Sequence, residues 1–277
     1  MSCNHILRLS SWFFVVPVHF GLHVGPAFAD RDVFLANVGR MVAIGSAADT
    51  SPSAPDLITR VFERVVIPGF PPINPSDYGL DEPGFFALPA GDPELPAGAS
   101  ALPLNANVTA NLLPFTIGGG TDTLFYWNGT GSVDFAPVSV AQPGVSLVLD
   151  PNPVGRTGAS GGADIHPSYR LDKSGAGAPT DGVYLISPTV SVAGLTDSQR
   201  FFMLFLADAL VTDEDAAEAV LEGLEMGQPI FAGKDFSFFA EAGAYVEAHL
   251  VVPEPSVESL MALAFVVAGA LSRNRLH

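Results

Sequence analysis

The sequence has a single cysteine, Cys3, and few basic residues. One thiol cannot form a disulfide within the chain or a cysteine-based metal site, so both are excluded. Lysine and arginine together number 12 against 29 acidic residues, and the formal net charge is −17. A surface of this sign repels nucleic acid and anionic polymers. Nucleic acid is therefore excluded as a partner, and no cofactor is expected beyond divalent cations held loosely by the acidic surface.

The sequence also lacks the short motifs of several enzyme classes. H-E-x-x-H does not occur, and the glycine-rich segment 152–162 does not have the order of a phosphate-binding loop. An enzyme is therefore not expected, and an extracellular hydrolase is kept only as the third alternative.

The C-terminal apolar segment is too short for a permanent membrane anchor. Residues 260–271 carry no charge, but as a helix they would extend roughly 18 Å against about 30 Å of bilayer hydrocarbon. Extending the helix backwards would bury Glu258, which costs about 2.5 kcal/mol or more. The alternative is an amphiphilic helix packed on the body of the protein, but the segment does not alternate polar and apolar residues at helical spacing.

This C-terminal segment resembles the PEP-CTERM sorting signal of Gram-negative bacteria. The motif and the basic end comprise Val252, Pro253, Glu254, Pro255, Ser256, Arg273 and Arg275. The resemblance implies a short hydrophobic helix that an exosortase recognises in the inner membrane and cuts near Pro-Glu-Pro. The protein would then pass to the cell surface or the extracellular polymer matrix. The tail departs from the pattern after the arginines, where a denser basic cluster is usual.

The N-terminus has the features of a signal peptide, which a sorted protein needs. Arg8 precedes an apolar region that runs to about residue 24, and Ala27-Phe28-Ala29 before Asp30 fits an A-x-A cleavage pattern. Signal peptidase and the secretion machinery are therefore expected partners. The predicted domains are a signal peptide at 1–29, an acidic β-rich extracellular domain at 30–252 and a sorting segment at 253–277.

The predicted extracellular domain has the pattern of a mainly all-β protein. Its 27 acidic and nine basic residues are spread among short apolar segments, with glycine and proline between them. We expect a β-sandwich or jelly-roll-like domain. The strand candidates are 32–38, 40–44, 57–67, 101–117, 123–127, 132–140, 144–149, 182–192, 200–206 and 236–251, with a tight turn near Gly39 and an antiparallel pair formed by 182–192 and 200–206.

One short helix interrupts this pattern. Thr212 and Asp215 form a capping box, and Gly227 marks the end of the helix. The apolar residues of the segment fall on one helical face. They are Ala217, Val220, Leu221 and Leu224.

Fragments of the domain resemble a group of PEP-CTERM proteins from planctomycetes and cyanobacteria. The matching fragments are DEPGF at 81–85, TLFYWNG at 123–129, His166 with YRL at 169–171, and GVYLI at 182–186. The resemblance implies a secreted β-rich domain and carries no activity with it.

Two sets of residues are candidates for a binding site. Asp164 and His166 are two residues apart, so on a strand they share one face and offer a metal a carboxylate and an imidazole, with His249 or Asp172 as a third ligand. The alternative is a solvated histidine at the end of a loop. Tyr126 and Trp127 are candidates for stacking on a glycan, with exopolysaccharide as the partner, although phenylalanine dominates the aromatic residues and is mainly core material.

Together these patterns predict an exported protein of the cell envelope or extracellular matrix. Its tail would hold it briefly in the inner membrane, and its role would be structural or binding and not enzymatic. A metal- or glycan-binding module is the alternative.

Overall fold

The computed structural model describes residues 31–48, 55–70, 77–175 and 177–251. The predicted signal peptide and its cleavage residues Ala27, Ala29 and Asp30 lie outside the described residues. The sorting segment also lies outside them, including Val252–Ser256, Arg273 and Arg275. Within the described part, none of the helices has both the length and the apolar character that a membrane crossing requires.

The described chain is mostly β, with 41% strand and 14% helix, which confirms the all-β prediction. The strands are β1 (Arg31–Val38), β2 (Met41–Ala48), β3 (Val61–Pro68), β4 (Tyr78–Leu80), β5 (Phe85–Ala87), β6 (Asn107–Leu112), β7 (Phe115–Ile117), β8 (Gly120–Asp122), β9 (Phe125–Trp127), β10 (Ala136–Pro137), β11 (Val145–Asp150), β12 (Gly155–Arg156), β13 (Ala163–Ile165), β14 (Ser168–Lys173), β15 (Gly182–Ile186), β16 (Pro188–Val192), β17 (Phe202–Ala207), β18 (Ile230–Phe231) and β19 (Lys234–Asp235). The helices are α1 (Val138–Ala141), α2 (Glu214–Glu225) and α3 (Ser237–His249).

A four-stranded sheet, in the order β13-β5-β1-β2, begins with the predicted hairpin. Gly39 and Arg40 form a two-residue turn with φ of 59° and 71°, and Val38 faces Met41 across it. Two positive φ values in succession give the turn the twist that an antiparallel pair requires. In the same sheet β5 lies between β1, to which it is parallel, and β13, to which it is antiparallel.

The largest sheet has eight strands in the order β10-β9-β15-β17-β3-β4-β14-β11. Both faces of its centre are buried, because alternate residues of β17 enter two different apolar clusters. Met203 and Phe205 belong to the first cluster, and Leu204 and Leu206 belong to the second. The first cluster also contains residues of the four-stranded sheet and of the small sheet β12-β6-β16, whereas the second contains residues of α2 and α3. The large sheet therefore separates two cores.

The predicted strand at 236–251 is wrong, because residues 237–249 form helix α3. The buried positions are Phe239, Ala242, Gly243 and Val246, which follow the three- and four-residue spacing of a helix. This helical spacing was missed in the sequence. Among the described residues there are thus two long helices and the single-turn helix α1, where one short helix was predicted within the β-rich domain.

The predicted strand at 182–192 is divided between two sheets. Its first half, β15, pairs antiparallel with β17, as predicted, but its second half, β16, pairs with β6. The break falls at Ser187, immediately before Pro188. Proline has no N–H to donate to a ladder, and it is therefore commonly the first residue of a strand.

Helix α2 forms where it was predicted, although its N-cap differs. The cap is Asp213 and not Thr212, since Asp213 Oδ1 accepts a hydrogen bond from the Ala216 N–H at 2.9 Å. Glu214 and Asp215 occupy the first turn, where the helix dipole favours negative charge. Val220 is buried against the large sheet, and the chain turns away at Gly227, which has a positive φ of 67°.

A buried carboxyl lies between the large sheet and helix α3. Glu63 is on β3, and a Cβ added to Gly243 of α3 would overlap its carboxyl oxygen. Burial, followed by the nearby charge of Glu247, raises the pKa of Glu63 to about 8, and Arg64 opposes the rise. The folded protein therefore favours the protonated form of Glu63 at neutral pH.

We expect Glu63→Gln to change how stability depends on pH. The folded pKa of about 8 lies above the reference value of 4.5, so the protonated carboxyl stabilises the fold fully below pH 4.5 and loses this contribution as the pH rises through 8. Each unit of difference is worth about 1.4 kcal/mol. Urea denaturation should show that the free energy of unfolding of wild type falls between pH 5 and pH 8 by more than that of Glu63→Gln. The control, Glu218→Gln, changes an exposed carboxyl on α2, and an equal loss in all three proteins would contradict the prediction.

Candidate functional site

Three acidic side chains and one histidine meet at the edge of the four-stranded sheet. Asp32 lies on β1, Asp164 on β13 and His166 directly after β13, while Glu82 lies in the loop that leads into β5. Because β5 pairs with both β1 and β13, it holds these elements side by side. One ligand atom from each of Asp32, Asp164 and His166 lies within 4.8 Å of the other two. We refer to Asp32, Glu82, Asp164 and His166 as the carboxylate–histidine cluster.

His166 faces a carboxylate with each of its ring nitrogens. Nδ1 lies 3.0 Å from Glu82 Oε1, and Nε2 lies 2.9 Å from Asp164 Oδ1. Burial lowers the pKa of His166, but Glu82, Asp164 and Asp32 outweigh that effect and raise it. A neutral imidazole has only one N–H to donate, so contacts with two ionised carboxylates require the protonated ring or a cation in place of the proton.

Asp32 is the most buried member of the cluster. Its side chain is almost fully enclosed, and Oδ1 accepts a hydrogen bond of 2.6 Å from the Gly84 N–H. Burial, followed by repulsion from Glu82, raises the pKa of Asp32 to about 6, against the opposing effects of His166 and the Gly84 N–H. A positive charge next to Asp32 would therefore lower the free energy of its ionised form.

Gly84 allows the loop and the cluster to approach each other closely. Its N–H also lies 2.9 Å from Glu82 Oε2, so one amide contacts two of the carboxylates. A Cβ at this position would lie 2.7 Å from Asp32 Oδ1 and 2.8 Å from His166 Cε1. A residue of the large sheet holds the loop that carries Gly84, because the Tyr169 hydroxyl donates a hydrogen bond of 3.0 Å to the Pro83 carbonyl.

The cluster is open to solvent on one side. The side chains of Glu82 and His166 are 36% and 38% exposed, and that of Asp164 is 72% exposed. An open groove of about 390 Å³ shares Glu82 with the cluster and runs between β3 and α2. A ligand has access to the cluster, whereas Asp32 forms its closed end.

The structure does not bring the other predicted metal ligands to this place. His249, at the end of α3, stacks on Tyr245 at 4.4 Å, and its Nδ1 lies 2.9 Å from the Tyr245 carbonyl oxygen. Asp172 lies beside Arg170 at 3.6 Å. The group of potential ligands contains Asp32 and not His249 or Asp172.

The predicted glycan-stacking residues are part of the cores. Tyr126 is 7% exposed and Trp127 is 3% exposed. Trp127 packs edge-on against Phe135 and Phe238, and the Tyr126 hydroxyl donates to the Asp181 carbonyl at 2.8 Å. Stacking on a sugar requires an exposed ring face, so these two residues do not form the predicted platform.

Two members of the cluster, Asp32 and Glu82, were missed in the sequence. Asp32 stands next to the apolar run Val33, Phe34 and Leu35, and an acidic residue buried in such a strand is a signal of a specific partner. Glu82 belongs to the DEPGF fragment, which was noted for its family resemblance and not for its chemistry. Asp32 and Gly84 are far apart in the sequence, so their contact could not be predicted from local pattern.

The comparisons with known proteins found nothing similar. No protein-family model, curated protein or solved structure matches this chain. The family resemblances in the two terminal segments and in the body of the chain therefore remain predictions.

We expect Gly84→Ala to destabilise the protein. The added Cβ would overlap Asp32 and His166, and such overpacking typically costs about 1–3 kcal/mol. The matched control is Gly158→Ala, because a Cβ there would meet only the Gly162 carbonyl oxygen, at an ordinary 3.6 Å. Thermal denaturation should show a lower midpoint for Gly84→Ala than for Gly158→Ala. Equal midpoints would show that the cluster has room for a side chain at this position.

Proposed function

We propose that this chain is an exported protein of the cell envelope or extracellular matrix whose β-rich domain binds a divalent metal ion at the carboxylate–histidine cluster. The role is binding and not enzymatic. The observation that carries the proposal is the convergence of Asp32, Asp164 and His166, whose ligand atoms lie within 4.8 Å of one another. Glu82 lies beside this group, with Oε1 3.0 Å from His166 Nδ1, whereas Asp164 contacts Nε2.

The electrostatics of the cluster support a cation at this position. Three carboxylates surround one imidazole, and Asp32 is buried among them. Burying a carboxylate beside others of the same charge is unfavourable unless a cation or a proton compensates. A divalent ion would neutralise two of the negative charges and would accept the imidazole nitrogen as a ligand in place of a proton.

The ligand types favour a transition metal over calcium. Calcium prefers six to eight oxygen ligands and typically takes several of them from backbone carbonyls. An imidazole together with carboxylates suits Zn²⁺ or Mn²⁺. The exposed side of the cluster, at Asp164 and His166, leaves room for water or for an acidic ligand on the metal.

Two features of the sequence support export. They are the A-x-A pattern ending at Ala29 and the resemblance of the tail to a PEP-CTERM signal. In this proposal signal peptidase and the secretion machinery act first. An exosortase then processes the tail at the inner membrane, and the domain reaches the surface, where exopolysaccharide is its candidate partner.

We further propose that the domain is a β-sandwich or jelly-roll-like fold with helices added to one side. Support comes from the first apolar cluster, which lies between the large sheet and the smaller sheets, as the core of a sandwich does. The second cluster, under α2 and α3, covers the other face of the large sheet.

Calorimetric titration of the full-length protein with ZnCl₂, MnCl₂ and CaCl₂ tests the metal site. We expect one Zn²⁺ or Mn²⁺ ion to bind per chain, with Ca²⁺ weaker. His166→Ala should reduce the affinity by about tenfold or more, because it removes the only nitrogen ligand of the cluster. His249→Ala is the matched control and should bind as wild type does. An absence of binding heat with all three salts, or equal affinities in the two variants, would overturn the metal proposal.

Fractionation of the producing cells tests export independently of the metal. We expect the protein in the envelope or the medium, with a mature N-terminus at Asp30 and without the segment that follows Pro-Glu-Pro, as read by mass spectrometry of the terminal peptides. A full-length chain found only in the cytosol would contradict export and sorting.

A further inference from the structure

A lysine and a buried aspartate meet at the end of β17, apart from the residues of the carboxylate–histidine cluster. Asp208 directly follows β17 and is 1% exposed, and Lys234 is the first residue of β19. Lys234 Nζ is in direct contact with Asp208 Oδ2, and Asp208 Oδ1 accepts a hydrogen bond of 3.0 Å from the Leu210 N–H. The aspartate is thus held in one orientation, with its second oxygen directed at the amine.

The surroundings of this pair are apolar and contain a second carboxylate. Lys234 Nζ lies 5.4 Å from the centre of the Phe236 ring and 5.8 Å from that of Phe238, and Phe236 is fully buried. Asp181 Oδ1 accepts a hydrogen bond of 3.1 Å from the N–H of Ala209, the residue after Asp208. Asp181 therefore contacts the segment that carries Asp208, while the Lys234 side chain is 36% exposed.

We propose that Asp208 and Lys234 are a modification site, at which an intramolecular amide bond joins the two side chains. A proton first moves from the ammonium to the carboxylate within the pair. The neutral Nζ then attacks Cγ of Asp208, a C–N bond forms, and a C–O bond breaks. The hydroxyl leaves with the second amine proton as one molecule of water, so the step is balanced without an oxidant or a cofactor.

Two physical effects favour this condensation. The fold holds the amine against the carboxyl, and orientation of this kind corresponds to effective concentrations of about 10⁵ M or more. The amide carries no charge, so its formation removes the unfavourable burial of the Asp208 carboxylate.

The link would connect the large sheet to the β18–β19 hairpin. It would close a loop over residues 208–234, which contains the whole of α2. The only cysteine, Cys3, lies in the predicted signal peptide, so the domain has no disulfide with which to restrain this segment. A cross-link restricts the unfolded chain more than the folded one, and α2 would gain stability in this way.

The intact mass of the purified full-length protein tests the bond. We expect a mass lower by one molecule of water than the sequence between its observed termini requires. Fragment spectra should connect Asp208 to Lys234. An unchanged mass would mean that the two side chains form an ion pair only, and it would overturn the proposal.

Tryptic digestion after denaturation gives a second readout. There is no lysine or arginine between Arg200 and Lys234, so an unlinked chain yields a peptide of residues 201–234. Trypsin needs a free ammonium group, so the amide should prevent the cut after Lys234.

Lys234→Arg keeps the cation but cannot form the bond, and it should show the full mass and a cut after residue 234. If this variant does not fold, the wild-type mass and digest decide the question alone. Cleavage after Lys234 in wild type would exclude the link.

Discussion

The rest of the fold depends on the burial of both faces of one sheet. Strand β17 sends Phe205 into one core and Leu204 into the other, and its neighbours β15 and β3 do the same. A strand of this kind reads as a continuous apolar run. The smaller sheets must therefore cover one face and the helices the other. This arrangement fixes the Tyr169 hydroxyl against Pro83 and so connects the large sheet to the loop of the carboxylate–histidine cluster.

A second constraint follows from the scarcity of positive charge in this chain, which carries 29 acidic and 12 basic residues. Burial of a carboxylate is unfavourable unless a proton or a cation compensates. Asp208 has Lys234, burial raises the pKa of Glu63 and favours its protonated form, and Asp32 has His166 and the Gly84 N–H. These three carboxyls are all buried, and they differ in the group that compensates the charge.

The sequence predicted the features that depend on short-range pattern. The turn at Gly39 and the helix from Glu214 were predictable because turn geometry and capping are determined within a few residues. The division at Ser187 and the helix at 237–249 were not, since the first depends on which distant strand is available and the second on helical spacing within an aromatic segment. Half of the cluster was predicted, because Asp164 and His166 are two residues apart. Asp32 and Glu82 were missed because only the pairing of β5 with β1 and β13 brings them together.

The two clusters differ in what can reach the buried carboxylate. At the carboxylate–histidine cluster, Asp164 is 72% exposed and lies beside His166, so under the proposed function an ion from outside has a path to Asp32. At Asp208, which is 1% exposed, the neighbouring positive group is the Lys234 amine of the same chain. The cost of burying a carboxylate therefore underlies both proposals, an exchangeable ion at the cluster and a covalent link between Asp208 and Lys234.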